Sequence, residues 1–191
     1  MPMSGDTIAL SNLVALGDDA SDNVTVQTLD AYGRTVDSYT WNNYMYDYEC
    51  WVDGNYEEVA GVSIAPGQGL FVIASSSEQA IQSAGQVGTS DVLVQLRKNG
   101  TLAGNPFPVA LDLQEIIAEG TEAVDNVTIQ TLDAYGRTID SYTWNDYMYD
   151  YACWVNGDYE EVTGVTFNAG QGLFVLGSNS EQYLRFPAPE L

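Results

Sequence analysis

Aromatic residues concentrate in one short stretch of the chain, and that stretch occurs twice. Residues 39–56 contain five tyrosines and two tryptophans, and residues 142–159 repeat the same set. In an extended chain alternate side chains share a face, so the tyrosines at 44, 46 and 48 lie together, opposite carboxylates at 47 and 49. Such an array could stack on sugar rings while the carboxylates accept hydrogen bonds from sugar hydroxyls. The predicted glycan-contacting residues are Tyr44, Tyr46, Tyr48, Trp51, Tyr147, Tyr149, Tyr151 and Trp154.

The aromatic array has two other interpretations. Aromatic side chains also pair across neighbouring strands inside β-rich cores, and this is the interpretation that the composition favours. Tyrosine and tryptophan are in addition enriched at protein–protein interfaces. Glycan contact and a protein interface therefore stand as alternatives to a purely structural role.

The carboxylates do not form a pattern specific enough to predict a metal or catalytic site. Asp18, Asp19 and Asp22 share one loop, but the equivalent loop downstream keeps only Glu122 and Asp125, without the alternation of an EF-hand. Glycoside hydrolysis needs two carboxyl groups at a set separation, and a chain with 27 acidic residues places such pairs close by chance. We therefore predict a solvated acidic surface, with no metal, no cofactor and no enzymatic activity.

Nucleophilic catalysis is restricted by composition. The chain has no histidine, which excludes Ser-His and Cys-His nucleophiles and histidine-ligated zinc. Its two cysteines, Cys50 and Cys153, occupy equivalent positions before a tryptophan, so we predict buried thiols and no disulfide within either half. Arg34 and Arg137 each follow a loop glycine, and ion pairs with Asp37 and Asp140 are expected.

Charge excludes several classes of partner. The 191 residues include 27 acidic and 5 basic side chains, a net charge of -22. Nucleic-acid binding requires lysine and arginine to neutralise phosphates, and anionic membranes repel such a chain. No apolar run approaches the ~18 residues of a membrane span, so no membrane insertion is predicted. The first residues lack the basic and apolar stretches of a signal peptide, so an export signal is expected to be absent or removed.

A repeat of 103 residues organises the chain. Residues 22–72 and 125–175 are identical at 40 of 51 positions, whereas residues 89–103 have no counterpart upstream. We therefore divide the chain into a first copy (1–88), an opening segment (89–104) and a second copy (105–191). Two tandem modules of one fold are the expected architecture.

The elements of each copy are predicted to be short strands. Residues 24–29 and 35–41 alternate in period two around a loop, residues 30–33, whose glycine is expected to be left-handed. The Asp-Gly-Asn at 53–55 predicts a type I′ turn, and only residues 10–16 and 111–118 have a helical pattern. About seven strands in roughly 100 residues favour a β-sandwich, so the predicted fold is all-β, with two immunoglobulin-like or jelly-roll-like sandwiches.

The opening segment occurs once for two copies. A sandwich that lacks a strand exposes unpaired edge groups. The chain could be part of a longer repeat protein, the segment could complete the first copy instead of the second, or a neighbouring subunit could donate a strand. The last option predicts assembly into a fibre or surface layer. Its predicted assembly strand contains Val92, Val94 and Leu96.

Turn motifs at both ends of each copy resemble those of β-rich modules in secreted bacterial surface proteins. The opening motif is LAGNPFP at residues 102–108; the closing motifs are PGQGLFV at 66–72 with GQV at 85–87, and GQGLFV at 170–175 with PEL at 189–191. Ala169 replaces the proline of the first turn, and Pro189 stands where a glycine is expected. The resemblance implies an extracellular or cell-surface location and a non-catalytic role.

We accordingly predict a non-enzymatic, extracellular structural or adhesive protein that associates with itself or with other surface proteins. One alternative is a glycan-binding module that uses the aromatic array. A second is a phage virion protein, such as a decoration or tail-fibre subunit, which suits the missing signal peptide. A third is an acidic mimic of DNA, although acids at about one residue in seven are typical of general solubility.

Overall fold

The computed structural model describes residues 7–30, 32, 34–43, 46–76, 78–83, 88–133, 135–146 and 149–189. The described chain is built from short antiparallel strands, and its helical elements are two 3₁₀ turns, Leu10–Asn12 and Leu113–Glu115. The prediction of an all-β protein is therefore confirmed. None of the described residues forms a helix with the length and hydropathy needed to cross a membrane.

Among the described residues, the first copy contributes eight strands in three sheets. The strands are β1 (Ile8–Ala9), β2 (Leu13–Leu16), β3 (Thr25–Leu29), β4 (Thr35–Asn42), β5 (Cys50–Val52), β6 (Ser63–Ile64), β7 (Phe71–Ile73) and β8 (Ala80–Ser83). The largest sheet has the strand order β5-β4-β3-β7, and two small sheets pair β2 with β8 and β1 with β6.

The second copy has equivalents of these sheets, and two of them each contain one additional strand. Both additional strands, β9 (Val92–Gln95) and β10 (Thr101–Gly104), come from the opening segment. The other strands are β11 (Leu111–Asp112), β12 (Ile117–Gly120), β13 (Thr128–Leu132), β14 (Thr138–Asn145), β15 (Cys153–Val155), β16 (Thr166–Phe167), β17 (Gly172–Leu176) and β18 (Gln182–Phe186). The strand orders of the three sheets are β10-β17-β13-β14-β15, β12-β18-β9 and β11-β16.

The predicted hairpin forms in both copies with the same register. Val26 lies opposite Tyr39 in β3 and β4, and Ile129 lies opposite Tyr142 in β13 and β14. Both aliphatic side chains are fully buried, as period-two alternation requires of the face that points into the core. Gly136 is left-handed, with φ 75°, which confirms the predicted loop conformation in the second copy; Gly33 lies outside the described residues.

Two local predictions are wrong. The turn at 53–57 is not type I′, because the left-handed residue is Tyr56 (φ 61°). The carboxylate of Asp53 accepts hydrogen bonds from the backbone N–H groups of Asn55 and Glu57 and holds the turn in this shape. The pattern at residues 10–16 does not produce an α-helix either: one 3₁₀ turn leads directly into β2, whose alternate residues are buried.

Candidate functional sites

The tryptophans of the aromatic array are part of the core. Trp41 and Trp51 pack edge to face with ring centroids 5.2 Å apart, and Trp51 donates a hydrogen bond from Nε1 to the carbonyl of Leu13 over 2.8 Å. Trp154 is equally buried and donates from Nε1 to the carbonyl of Ile116 over 2.6 Å. The prediction that Trp51 and Trp154 contact a glycan is therefore corrected, because neither ring reaches the surface.

Two tyrosines of the first aromatic stretch (residues 39–56) lie at the surface and form hydrogen bonds to Glu58, at the end of the turn that follows β5. The hydroxyl of Tyr48 donates a hydrogen bond to Glu58 Oε2 over 2.7 Å, and the hydroxyl of Tyr46 accepts one from the Glu58 backbone N–H over 3.1 Å. Their ring centroids lie 5.6 Å apart. Tyr44 and Tyr147, also predicted to contact glycan, lie outside the described residues.

The second array has the same geometry. Tyr151 donates to Glu161 Oε2 over 2.7 Å, Tyr149 accepts from the Glu161 backbone N–H over 2.9 Å, and the two ring centroids lie 5.7 Å apart. Both predicted residues, Tyr149 and Tyr151, are therefore brought together. Their hydroxyl groups are hydrogen-bonded to the side chain and the backbone of Glu161, so a ligand at this surface would contact the faces of the rings.

Hydrogen bonding to the carboxylate changes the titration of these phenols. The bond to Glu58, with partial desolvation and the nearby negative charge, raises the pKa of Tyr48 to about 12. Glu161 raises the pKa of Tyr151 to about 12 for the same reasons. Both phenols therefore stay protonated at neutral pH, where they act as hydrogen-bond donors and supply no base for catalysis.

The arginines form ion pairs with partners that sequence reasoning missed. Arg34 bonds through Nε and a terminal nitrogen to Asp30 Oδ2, at 2.8 and 2.7 Å, not to the predicted Asp37. The guanidinium also lies 5.0 Å from the centre of the exposed Tyr32 ring. Hydrogen bonds from the Arg34 backbone and side chain lower the pKa of Asp30. The i, i+4 spacing across the loop could have indicated this pair.

The described part of the acidic loop is held by hydrogen bonds, and both cysteines are buried. Among the described residues, no group of three or more acidic, cysteine or histidine side chains is placed to hold a metal ion. The carbonyls of Asp18 and Asp19 accept hydrogen bonds from the Gln79 amide instead. Cys50 and Cys153 are buried free thiols, as predicted, and burial raises the pKa of each, which makes them poor nucleophiles.

The opening segment completes two sheets of the second copy. β9 pairs antiparallel with β18, and β10 pairs antiparallel with β17 from Thr101 opposite Val175 to Gly104 opposite Gly172. The predicted assembly strand lies here: Val94 and Leu96 are buried in the core of the second copy and Val92 packs against it. This strand is therefore already used within the chain.

The other edge of β10 contacts the first copy at one point. Gln68 lies opposite Ala103 in an antiparallel bridge. The backbone N–H of Gly69 donates to the carbonyl of Leu102 over 3.0 Å, and Gly104 donates to the carbonyl of Gly67 over 2.9 Å. One strand thus pairs along its length with β17 and briefly with the residues that precede β7. We call this contact the joint between the copies.

Two glycines make the joint possible. A Cβ atom on Gly67, which has φ 73°, would collide with the side chain of Val94, and one on Gly69 would lie 2.6 Å from the carbonyl oxygen of Ala103. The residue equivalent to Gly67 in the second copy is Gly170, with φ 70° and open space around its Cβ position. The close approach is therefore specific to the first copy.

Beyond the joint, no strand of the described residues covers the outer edges of β7 and β8 in the first copy. Val72 is 46% exposed, whereas Val175 at the equivalent position is fully buried. Ile81 of β8 is half-buried, whereas its equivalent Leu184 is fully buried. In the described chain β8 has only β2 as a neighbour, whereas β18 lies between β12 and β9. Strands β9 and β10 have no described equivalents beside β8 and β7.

A cleft of about 540 Å³ runs beside β7. One wall consists of residues 70–76, and Leu102, Leu132, Asp133 and Gly172 form the other. Residues 59–77 contain no charged side chain, although the chain as a whole carries 27 acids. Exposed edge strands normally carry charges or prolines that block pairing, so this edge is open to another strand.

No family model matches the chain, and no significant match is found among curated proteins or among solved structures.

Proposed function

We propose that the chain is a non-catalytic structural or adhesive protein that assembles through the uncovered edges of β7 and β8. In this proposal each copy is one β-sandwich module, and the opening segment belongs to the second module. One observation supports the proposal most directly: the same valine is 46% exposed at position 72 and fully buried at position 175. A core-facing side chain left in solvent, on a strand edge that has no neighbouring strand among the described residues, is typical of a surface that another chain covers.

An extracellular or cell-surface location belongs to the same proposal. It is supported by the resemblance of the turn motifs at 66–72 and 102–108 to those of secreted surface modules. The buried free thiols are compatible with that location because neither is placed to form a disulfide within the described chain.

Self-association tests the proposed role. Light scattering of the purified chain should give a molar mass that rises above the monomer value of 20.8 kDa as concentration increases through the micromolar range. Ile73→Lys changes a residue that is 43% exposed in β7, and it should shift the transition to higher concentration because a charged edge resists pairing. The matched control is Val14→Lys, at a residue that is 37% exposed in β2. A monomer at every concentration would contradict the assembly role.

Glycan binding is a second candidate function, favoured by the exposed Tyr48 and Tyr151 rings, which are 54% and 53% accessible. Each ring lies beside a second tyrosine and near acidic side chains that could accept hydrogen bonds from sugar hydroxyls. Titration with polysaccharides, followed by tyrosine and tryptophan fluorescence, should show saturable binding that a double replacement of Tyr48 and Tyr151 by alanine removes. Unchanged fluorescence with every polysaccharide would reject this function.

A further inference from the structure

We propose that the uncovered edges of the first copy bind a two-strand segment with the sequence pattern of the opening segment, carried by another repeat of this kind. The inference rests on the assembly role proposed above and names the partner. It is argued from the second copy, where the equivalent edges already hold such a segment: its strands β9 and β10 join two different sheets, β9 beside β18 and β10 beside β17.

One of the two acceptor strands has the same sequence in both copies. Residues 69–72 and 172–175 both read Gly-Leu-Phe-Val. In the second copy this strand pairs with Thr101–Gly104, with Thr101 opposite Val175 and Leu102 opposite Phe174. An incoming Thr-Leu-Ala-Gly strand in the same register would place its threonine opposite Val72 and its leucine opposite Phe71. Antiparallel pairing along a free edge is an established mode of peptide recognition.

The other strand of the incoming segment covers the edge of a second sheet, β8. In the second copy β9 pairs with β18, and the alternating side chains of Val94 and Leu96 are buried against the core. The equivalent edge in the first copy is β8, where Ile81 is half-buried and still packs against the first core. In the second copy the equivalents of Val72 and Ile81, Val175 and Leu184, share one core cluster with Val94 and Leu96. A valine-leucine strand docked on β8 together with its partner strand on β7 is therefore expected to remove both Ile81 and Val72 from water.

Charge favours this partner over an acidic one. The opening segment contains Arg97 and Lys98, two of the chain's five basic residues, and one acid, Asp91. It is therefore a basic element in a chain of net charge -22, which attracts it over long range. The uncharged run at 59–77 places no like charge against it at the edge.

One existing contact must give way. In the register of the second copy, the last residue of the incoming strand lies opposite Gly69, whose N–H now donates to Leu102. The incoming segment therefore replaces the bridge between Gln68 and Ala103 and extends into the cleft along Phe71–Ile73. Docking should consequently loosen the joint while it protects β7.

The experiment uses the full chain and a synthetic peptide of residues 89–107 as the probe. Calorimetric titration should show saturable binding of one peptide per chain. Hydrogen exchange should show that the peptide slows exchange of the amides in β7 and β8. The control peptide carries Val94→Asp and Leu96→Asp, which place charges on the face that must be buried. It should bind at least about tenfold more weakly, a change of about 1.4 kcal/mol.

A chain variant locates the site. Val72→Lys should weaken peptide binding by about tenfold or more and leave the circular dichroism spectrum unchanged, because Val72 is already 46% exposed. Equal binding by this variant, or protection confined to β17 and β18, would show that the peptide exchanges with the chain's own strands β9 and β10, and would overturn the proposal. Absence of saturable binding would overturn it as well. A chain that is monomeric alone yet binds the peptide would instead reject self-association and keep this partner.

Discussion

Strands β7 and β17 share the sequence that begins at Gly69 and Gly172, yet they have opposite environments. β17 lies between β10 and β13 with its valine fully buried, whereas β7 pairs with β3 and leaves the equivalent valine 46% exposed. The difference does not come from the strands themselves, because residues 69–72 and 172–175 are identical. Burial of the valine therefore depends on whether a further strand pairs with the edge of β7 or β17. The opening segment supplies such a strand, β10, to the second copy.

The side chains around these edges have diverged in the same direction. Phe186 of β18 is fully buried, and Ser83 stands exposed at the equivalent position of β8. Tyr183 likewise corresponds to Ala80. The first copy thus has smaller side chains than the second where it lacks cover, but Val72 and Ile81 remain apolar there. The remaining apolar groups mark the part of the surface that we propose is covered by a partner.

The largest change in stability is expected when Phe186 of the second copy is replaced by serine, the residue at the equivalent position of the first copy. Phe186→Ser should lower the free energy of unfolding by about 3–5 kcal/mol, because it removes a fully buried ring and leaves a cavity. The reverse change, Ser83→Phe, should alter stability by less than about 0.5 kcal/mol, since position 83 is exposed. Urea unfolding followed by tryptophan fluorescence measures both. Similar losses in the two variants would mean that both faces are covered in solution.

An intermediate effect is expected at the joint. Gly67→Ala and Gly170→Ala impose the same backbone strain, about 1–2 kcal/mol, because both glycines have φ near 70°. Gly67→Ala should cost about 1–3 kcal/mol more, since its Cβ collides with the side chain of Val94. Thermal unfolding of the two variants isolates the difference. Equal midpoints would show that the first copy does not contact β9 in solution.

The smallest difference between the copies is expected at Tyr48 and Tyr151, whose surroundings are the same in both. Because the folded pKa of Tyr48 is about 12, above its usual value of 10.0, this phenol stabilises the fold below pH 10 and that contribution is lost as pH rises toward 12. Glu58→Gln should move the pKa of Tyr48 back toward 10.0, and Glu161→Gln should do the same for Tyr151. Tyrosinate absorbance during alkaline titration measures the shift. Unequal shifts would reveal that the uncovered edge affects the aromatic surface too.

Local patterns predicted the strands well, because alternation of apolar side chains determines which face is buried. The hairpin of β3 and β4 forms within one residue of the predicted bounds, and its register recurs in β13 and β14. The turn after β5 was mispredicted because the left-handed residue is Tyr56, a type that rarely adopts positive φ, and the Asp53 carboxylate stabilises it there.

The candidate sites were harder to predict because they depend on contacts between distant residues. Spacing placed the tyrosines together but could not show that Trp51 hydrogen-bonds to Leu13, 38 residues away, and is removed from the surface. The single copy of the opening segment was evident from the repeat. The sequence could not show that this segment pairs with β17 or that its Leu102 carbonyl accepts a hydrogen bond from Gly69. Both contacts depend on how the two copies pack in three dimensions.

The joint between the copies is formed by backbone hydrogen bonds at Gly67, Gly69 and Gly104, and by the side chains of Val94 and Leu102, which lie against Gly67 and Gly69. Because Gly67 and Gly69 have no side chain, a larger residue at either position would push the two copies apart. Substitutions at these two positions are therefore expected to change the angle between the copies, and with it the curvature of the proposed assembly.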